Sequence, residues 1–202
     1  GLAERNPVKG IERNSETRRV RFLSEVELGR FLFVLRQSAL TPSRLAIEFL
    51  LLTGARSGET FKAKWNEFDL DAATWQKPAG NTKSGKPHRV PLSPEALELL
   101  TSAQTLAVSE YVFPGQHGSH LTTVKTLFRR VRKEAGIDDF RVHDLRHSFA
   151  SMLAKEGVPL LAIGKLLGHM QLSTTTRYAH LDDSSLRAAT QLVGDKVKMH
   201  DG

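Results

Sequence analysis

The chain has 202 residues, of which 40% are hydrophobic and 25% charged, enough apolar matter to fill the core of one folded domain and too much for a disordered chain. It holds no cysteine, which excludes disulfides, thiolate metal sites and a cysteine nucleophile, and no apolar run approaches the roughly 18 residues of a membrane span. With 29 Lys and Arg against 22 Asp and Glu, the net charge is +7, a field that favours a polyanionic partner.

Residues 1–20 combine Pro7, Gly10 and mixed charge with little apolar periodicity, and Arg18, Arg19 and Arg21 give this segment the character of a basic arm or linker. Ser24-Glu25-Val26-Glu27 is a capping box ahead of Leu28, Phe31, Leu32 and Leu35 at helical spacing. Thr41-Pro42 starts a second helix, apolar nearly all round from Leu45 to Leu52; it is expected to be the buried central helix, stopped by Gly54. A short helix is expected over 57–64. From Trp65 to Leu92, apolar alternation with the turn formers Gly80-Asn81 and Ser84-Gly85 predicts a small antiparallel sheet. Ser93-Pro94-Glu95 caps a helix to about Leu106, and Tyr111 to Pro114 is extended. Further helices are expected over 122–135, 144–156, 159–167, 173–178 and 183–193, several of them stopped by glycine. The fold class is mainly α with a small antiparallel β-hairpin insert.

His143-Asp144-Leu145-Arg146-His147 has two readings. Two histidines one helical turn apart with an acid between them match the spacing of a zinc hydrolase, but the acid is the short Asp and Arg146 would set a fixed cation beside the metal. Read as H-x-x-R, the stretch puts His143 and Arg146 on one helix face, a titratable donor beside a permanent cation, which suits a phosphate. His147 is then expected to be structural. Arg56 stands in Thr53-Gly54-Ala55-Arg56-Ser57-Gly58-Glu59, where the glycines permit a tight bend and Glu59 can clamp the guanidinium or cap the next helix. Lys83 lies at the hairpin tip, Gly168 permits a sharp helix exit that aims His169, and Tyr178 is one of only two tyrosines. Each of these also has a plain structural explanation: a surface charge at a helix joint, a solvated lysine, a histidine at a helix end.

Taken in order, these pieces resemble the tyrosine recombinase (phage integrase) family. The matching motifs are T-G-A-R-S-G-E with Arg56, T-K-S-G-K-P-H-R-V-P-L with Lys83, H-D-L-R-H with His143 and Arg146, L-L-G-H with His169, and T-R-Y-A-H with Tyr178. The resemblance spans about residues 20 to 193, the family's catalytic domain. It implies a recombinase catalytic-domain fold over 21–202, with 1–20 as the linker from an N-terminal DNA-binding domain that this sequence does not contain. It also implies cleavage and rejoining of double-stranded DNA at attachment-type sites through a 3′-phosphotyrosyl intermediate. Tyr178 would be the nucleophile, His143 its base, and Arg56 and Arg146 the grip on the non-bridging oxygens. His169 would add a hydrogen bond there, Lys83 would protonate the leaving 5′-oxygen, and Glu59 would orient Arg56.

By the same resemblance no metal, nucleotide or other cofactor is required. The full-length protein is expected to act as a homo-tetramer on DNA, in a bacterial or phage-encoded cytoplasmic setting and away from membranes. Its natural role is expected to be integration or excision of a prophage or genomic island, and the last helix, over 183–193, would dock either on its own domain or on a neighbouring protomer. Type IB topoisomerases share the chemistry, and a DNA-binding module of the same fold without activity is the further alternative.

Overall fold

A computed structural model describes residues 21–169, 174–181 and 191. Helix α1 (Glu25–Gln37) starts at the expected capping box: the Ser24 side chain accepts from the Glu27 N–H at 3.2 Å, and the Glu27 carboxylate accepts from the Ser24 N–H at 2.9 Å. Arg21 pairs with the same carboxylate, and that hydrogen bond holds the Glu27 pKa down to about 2. Helix α2 (Pro42–Thr53) is capped by Thr41 and ends on Gly54 in the left-handed conformation. It is the central helix: Leu45, Ala46, Ile47, Phe49, Leu50 and Leu51 are all buried, and it packs against α4 (Pro94–Gln104) and α6 (Asp144–Lys155). The short α3 (Ser57–Phe61) follows, three residues shorter than the sequence suggests.

The sheet forms where alternation predicts it. Strands β1 (Phe68–Asp69), β2 (Thr74–Lys77) and β3 (His88–Pro91) pair antiparallel in the order β1-β2-β3, with Trp75 opposite Phe68 on one side and Val90 on the other. Trp75 fixes the sheet to α2: its ring stacks on Phe68 at 5.4 Å and meets Phe49 at 5.4 Å, while its indole N–H donates to Glu67 at 2.9 Å. The connection from β2 to β3 is a loop opening with a 3-10 turn at Ala79–Asn81, so Lys83 sits on an irregular segment instead of a tight hairpin tip.

Helix α5 (Lys125–Glu134) turns Phe128 and Val131 inward and Arg129, Arg130 and Lys133 outward, and Phe128 closes an aromatic cluster with Phe31 and Phe140. It begins three residues later than expected. Helix α6 begins where the Asp144 carboxylate accepts the Arg141 N–H at 2.8 Å. Helix α7 (Leu160–Leu167) ends on Gly168, also left-handed, and a 3-10 segment at Thr176–Leu181 replaces the helix expected over 173–178. A second, smaller apolar cluster of Ala150, Ala154, Ile163 and Leu167 surrounds Tyr178. Of the helix expected over 183–193, all but Gln191 lies outside the described residues, as do residues 1–20.

Gly54 and Gly29 make a paired test of this packing. A Cβ at Gly54, where φ is +61°, would lie 2.4 Å from a Phe149 ring carbon and 2.8 Å from a Leu167 methyl, whereas a Cβ at Gly29 meets nothing within 4 Å. Gly54→Ala should therefore cost about 2–4 kcal/mol from overpacking and left-handed strain. Gly29→Ala, in the exposed middle of α1, should gain about 0.5–1 kcal/mol. Urea denaturation of both variants measures the two opposite signs.

Candidate active site

The site is assembled from helix ends and one loop. Arg146, on the first turn of α6, is 5% exposed and its guanidinium reaches across the core. One terminal nitrogen donates to the Gly54 carbonyl at 2.8 Å and the other to the Leu167 carbonyl at 2.8 Å. Both acceptors terminate helices, α2 and α7, where the carbonyls carry the negative end of the helix dipole. The bonds satisfy a buried cation that would otherwise be costly. They also fix the guanidinium two residues from Arg56.

Arg56 sits between α2 and α3, and Glu59 holds it twice: the carboxylate accepts from the Arg56 backbone N–H at 3.2 Å and from the guanidinium at 2.8 Å. Glu59 is itself buried, and its second oxygen accepts from the Lys77 ammonium at 2.8 Å. Burial opposes ionisation of Glu59, but Lys77 and Arg56 outweigh it and the carboxyl pKa falls below the ordinary value. Burial likewise lowers the Lys77 pKa, against the pull of Glu59, with the nearby charges of Arg146 and Arg56 acting in the same direction as burial.

Arg56, Lys83 and His143 line one open cleft of about 470 Å³, together with Lys62 and Asn81. Asn81 ties the β2–β3 loop to α3 by donating to the Glu59 carbonyl at 3.3 Å. His143 is exposed at the start of α6, and its ring meets that of His147 edge-on at 5.1 Å. Arg146 stands behind this cleft instead of lining it.

His169 follows Gly168, and its Nδ1 lies 2.9 Å from the Thr175 hydroxyl. Gly168 has room only for hydrogen, because a Cβ there would come within 2.9 Å of the His88 ring. His88, on β3 directly opposite Lys77, places its Nε2 2.7 Å from the Lys165 carbonyl and so joins the sheet to the end of α7. Burial, reinforced by Lys77, lowers the His88 pKa and favours the neutral ring that donates this bond.

Tyr178 is 2% exposed, and its hydroxyl lies 2.6 Å from the His147 Nδ1. The structure thus joins His143, His147 and Tyr178 in sequence from the cleft inward, and His147, expected to be only structural, contacts the candidate nucleophile. The His147 ring is engaged with the phenol through Nδ1, and among the described residues no group of three His, Cys, Asp or Glu side chains is arranged to hold a metal.

Lys77 and His88 were not among the candidates drawn from the sequence, and His147 was weighed there only as a zinc ligand or a structural residue. Lys77 had a signal: in a strand, the residue two places after Trp75 shares its inward face, and Lys77 is 1% exposed. His147 had the same kind of signal, one turn from His143 in α6, but its partner lies 31 residues away in sequence.

Comparison with known proteins agrees with this geometry. The model of the phage integrase family matches residues 21–185. The chain is 30% identical over 191 residues to the tyrosine recombinase XerA of Saccharolobus solfataricus, covering 92% of this chain and 60% of that protein. The catalytic domain of bacteriophage HP1 integrase superposes with a TM-score of 0.66 at 28% identity, covering 86% of this chain and 95% of that one. The XerH site-specific recombinase, in a post-cleavage complex with a palindromic difH substrate, superposes with a TM-score of 0.73 at 26% identity, covering 92% of this chain and 56% of that one. The chain therefore spans little more than half the length of XerA and XerH. With the Arg56, Arg146 and Tyr178 motifs on the helix ends and loops that the fold supplies for them, the chain belongs to the phage integrase family and has the fold of a tyrosine recombinase catalytic domain.

Proposed function

We propose that this chain is the catalytic part of a site-specific recombinase that breaks and rejoins double-stranded DNA through a phosphotyrosyl link to Tyr178. The observation that carries the reading is the convergence of Arg56, Lys83 and His143 on one open cleft, with Arg146 anchored immediately behind it. An exposed cleft lined by three cations, Arg56, Lys62 and Lys83, and a histidine suits a phosphodiester at the surface of a duplex, and the net charge of +7 favours that approach.

The chemistry follows from the groups present. The Tyr178 oxygen attacks the scissile phosphorus, forming a P–O bond to the phenol while the bond to the 5′-oxygen breaks. The phenol, with an ordinary pKa near 10, must give up its proton, and the histidine pair leading to the cleft can receive it. Arg56 meets the negative charge that builds on the non-bridging oxygens of the five-coordinate phosphorus, Arg146 adds its fixed charge from behind the cleft, and His169 donates there as well. Lys83, on its exposed loop, closes over bound DNA and protonates the departing 5′-oxygen. Reversal by a new 5′-hydroxyl restores the phosphodiester and the tyrosine. Exchange between two duplexes requires several cleavages at once, so the full-length protein works as an assembly of protomers on DNA. The kinship with a bacteriophage integrase supports integration or excision of mobile DNA as its role.

In the conformation observed, a backbone phosphate cannot reach Tyr178, because the phenol is buried. The nucleophile must leave His147 and swing toward the cleft before attack.

The covalent intermediate is the decisive test. Incubated in low salt with a nicked duplex whose cleaved strand end diffuses away, the protein should leave a DNA adduct on a denaturing gel, and Tyr178→Phe should abolish it. Failure of the full-length parent to form any adduct on its own site would overturn the reading. Arg56→Ala should slow adduct formation by about 10²–10³-fold, close to the loss of an oxyanion-hole donor. Arg146→Ala should lose folding stability as well, since the Gly54 and Leu167 carbonyls lose their donor.

The withheld tyrosine has its own readout. In a Tyr111→Phe background Tyr178 is the one tyrosine left in the chain. It should resist nitration by tetranitromethane in free protein and become reactive when His147→Asn shortens its partner. Equal reactivity in both proteins would refute the role given to His147.

A further inference from the structure

The cleft is built on a buried pair of charges that its surface chemistry does not require. Lys77 ends β2 and is 1% exposed, its ammonium lying 4.9 Å from the Trp75 ring centroid. A lysine so deep in a sheet is costly, and for stability alone an apolar side chain would serve that strand position better. Its ammonium is 2.8 Å from one Glu59 oxygen, and the other Glu59 oxygen is 2.8 Å from the Arg56 guanidinium. One carboxylate thus stands between two cations, the outer partly exposed and the inner sealed.

We infer that Lys77 is a positioning residue for Arg56, acting through Glu59: it balances the carboxylate from behind, so that Glu59 can aim the guanidinium without cancelling its charge. The inference rests on the recombinase reading for its catalytic consequence. With Glu59 and Arg56 alone, the pair would be neutral, and the guanidinium would meet an incoming phosphate with its charge already spent. With Lys77 behind, the group carries a net positive charge, and Arg146 adds another close by. The surplus is what a phosphate needs as it gains negative charge on the way to five-coordination. Lys77 also fixes the carboxylate in position. Both Glu59 oxygens are bonded, which sets the plane of the carboxylate and, through it, the direction of the Arg56 fork.

The experiment compares two substrates. A nicked duplex with the ordinary scissile phosphate is run beside one carrying a methylphosphonate there, in which a neutral methyl replaces a charged non-bridging oxygen. Lys77→Met keeps the length and apolar stem of the side chain and removes the charge. It should slow adduct formation on the phosphate duplex by tenfold or more and leave the methylphosphonate duplex within about twofold of wild type. The double variant Glu59→Gln/Lys77→Met removes the carboxylate with its balancing charge and should be no slower than Glu59→Gln alone. It leaves no unpaired buried charge at this pair, so it keeps the comparison open if Lys77→Met folds poorly.

Equal slowing on both substrates, or no slowing on either, would overturn the inference and leave Lys77 a structural residue. If wild type forms no adduct on either duplex and the full-length wild type forms none on its own site, the recombinase reading fails instead. The positioning claim is then decided by the Arg56 Nε–Hε resonance in an NMR spectrum. Lys77→Met should shift that resonance and shorten its exchange lifetime, and an unchanged signal would refute the claim.

Discussion

The buried guanidinium of Arg146 is the constraint on which the rest of the site depends. It joins the carbonyl ends of α2 and α7, two helices that no short connection links, and each end is available because a left-handed glycine turns the chain away immediately afterwards. A Cβ at Gly54 would strike Phe149 and Leu167, and one at Gly168 would strike His88, so these turns are closed to any other residue without repacking. Arg56 departs from the first of these ends and His169 from the second. Fold and site therefore share one interaction, which explains why a residue expected to touch phosphate is among the most buried charges in the domain.

The same economy governs the other cations. Lys83 and His143 lie at the surface, but Arg56 is held by a carboxylate that a buried lysine also bonds, and β3 feeds His88 into the end of α7 from the strand position opposite that lysine. The sheet, small as it is, thus braces both arginine-bearing corners. Trp75 anchors it to the central helix, and Lys77 on the same face extends the bracing to the cleft. A strand of four residues is enough for this because its two inward side chains serve different ends, one packing and one electrostatic.

Most of the architecture was legible in local sequence. The capping box at Ser24, the proline starts at Pro42 and Pro94, and the glycine stops at Gly54 and Gly168 encode helix boundaries by short-range hydrogen bonding and backbone freedom, and the structure places them there. The cleft residues Arg56, Lys83 and His143 were legible too, because each lies in a motif with its own turn chemistry. Lys77, His88 and His147 were hidden for a common reason: their partners, Glu59, Lys165 and Tyr178, come from other elements, and no local pattern records such a pairing. The late start of α5 and the 3-10 form of the tyrosine segment also departed from what helical spacing suggested.

Under the proposed function, the position of Tyr178 bears on how cleavage is held in check. The phenol is buried against Ala150, Ala154, Ile163 and Leu167, a cluster separate from the main core, and its hydroxyl lies within hydrogen-bonding distance of His147. Exposing an aromatic ring of this kind and breaking that bond costs about 2–4 kcal/mol. This is a fraction of the roughly 5–15 kcal/mol that holds a domain together, so the nucleophile can be released while the α2-centred core stays folded. It is also within what a few phosphate contacts can supply on binding. The small side chains of Ala150 and Ala154 matter here: they give the ring a seat on α6 without interlocking with it. The described hydrogen bonds of the two guanidinium groups run to Glu59, Gly54 and Leu167. Under the proposed function, the cleft is formed in advance and Tyr178 is the part that waits, an arrangement in which DNA is gripped before it is cut.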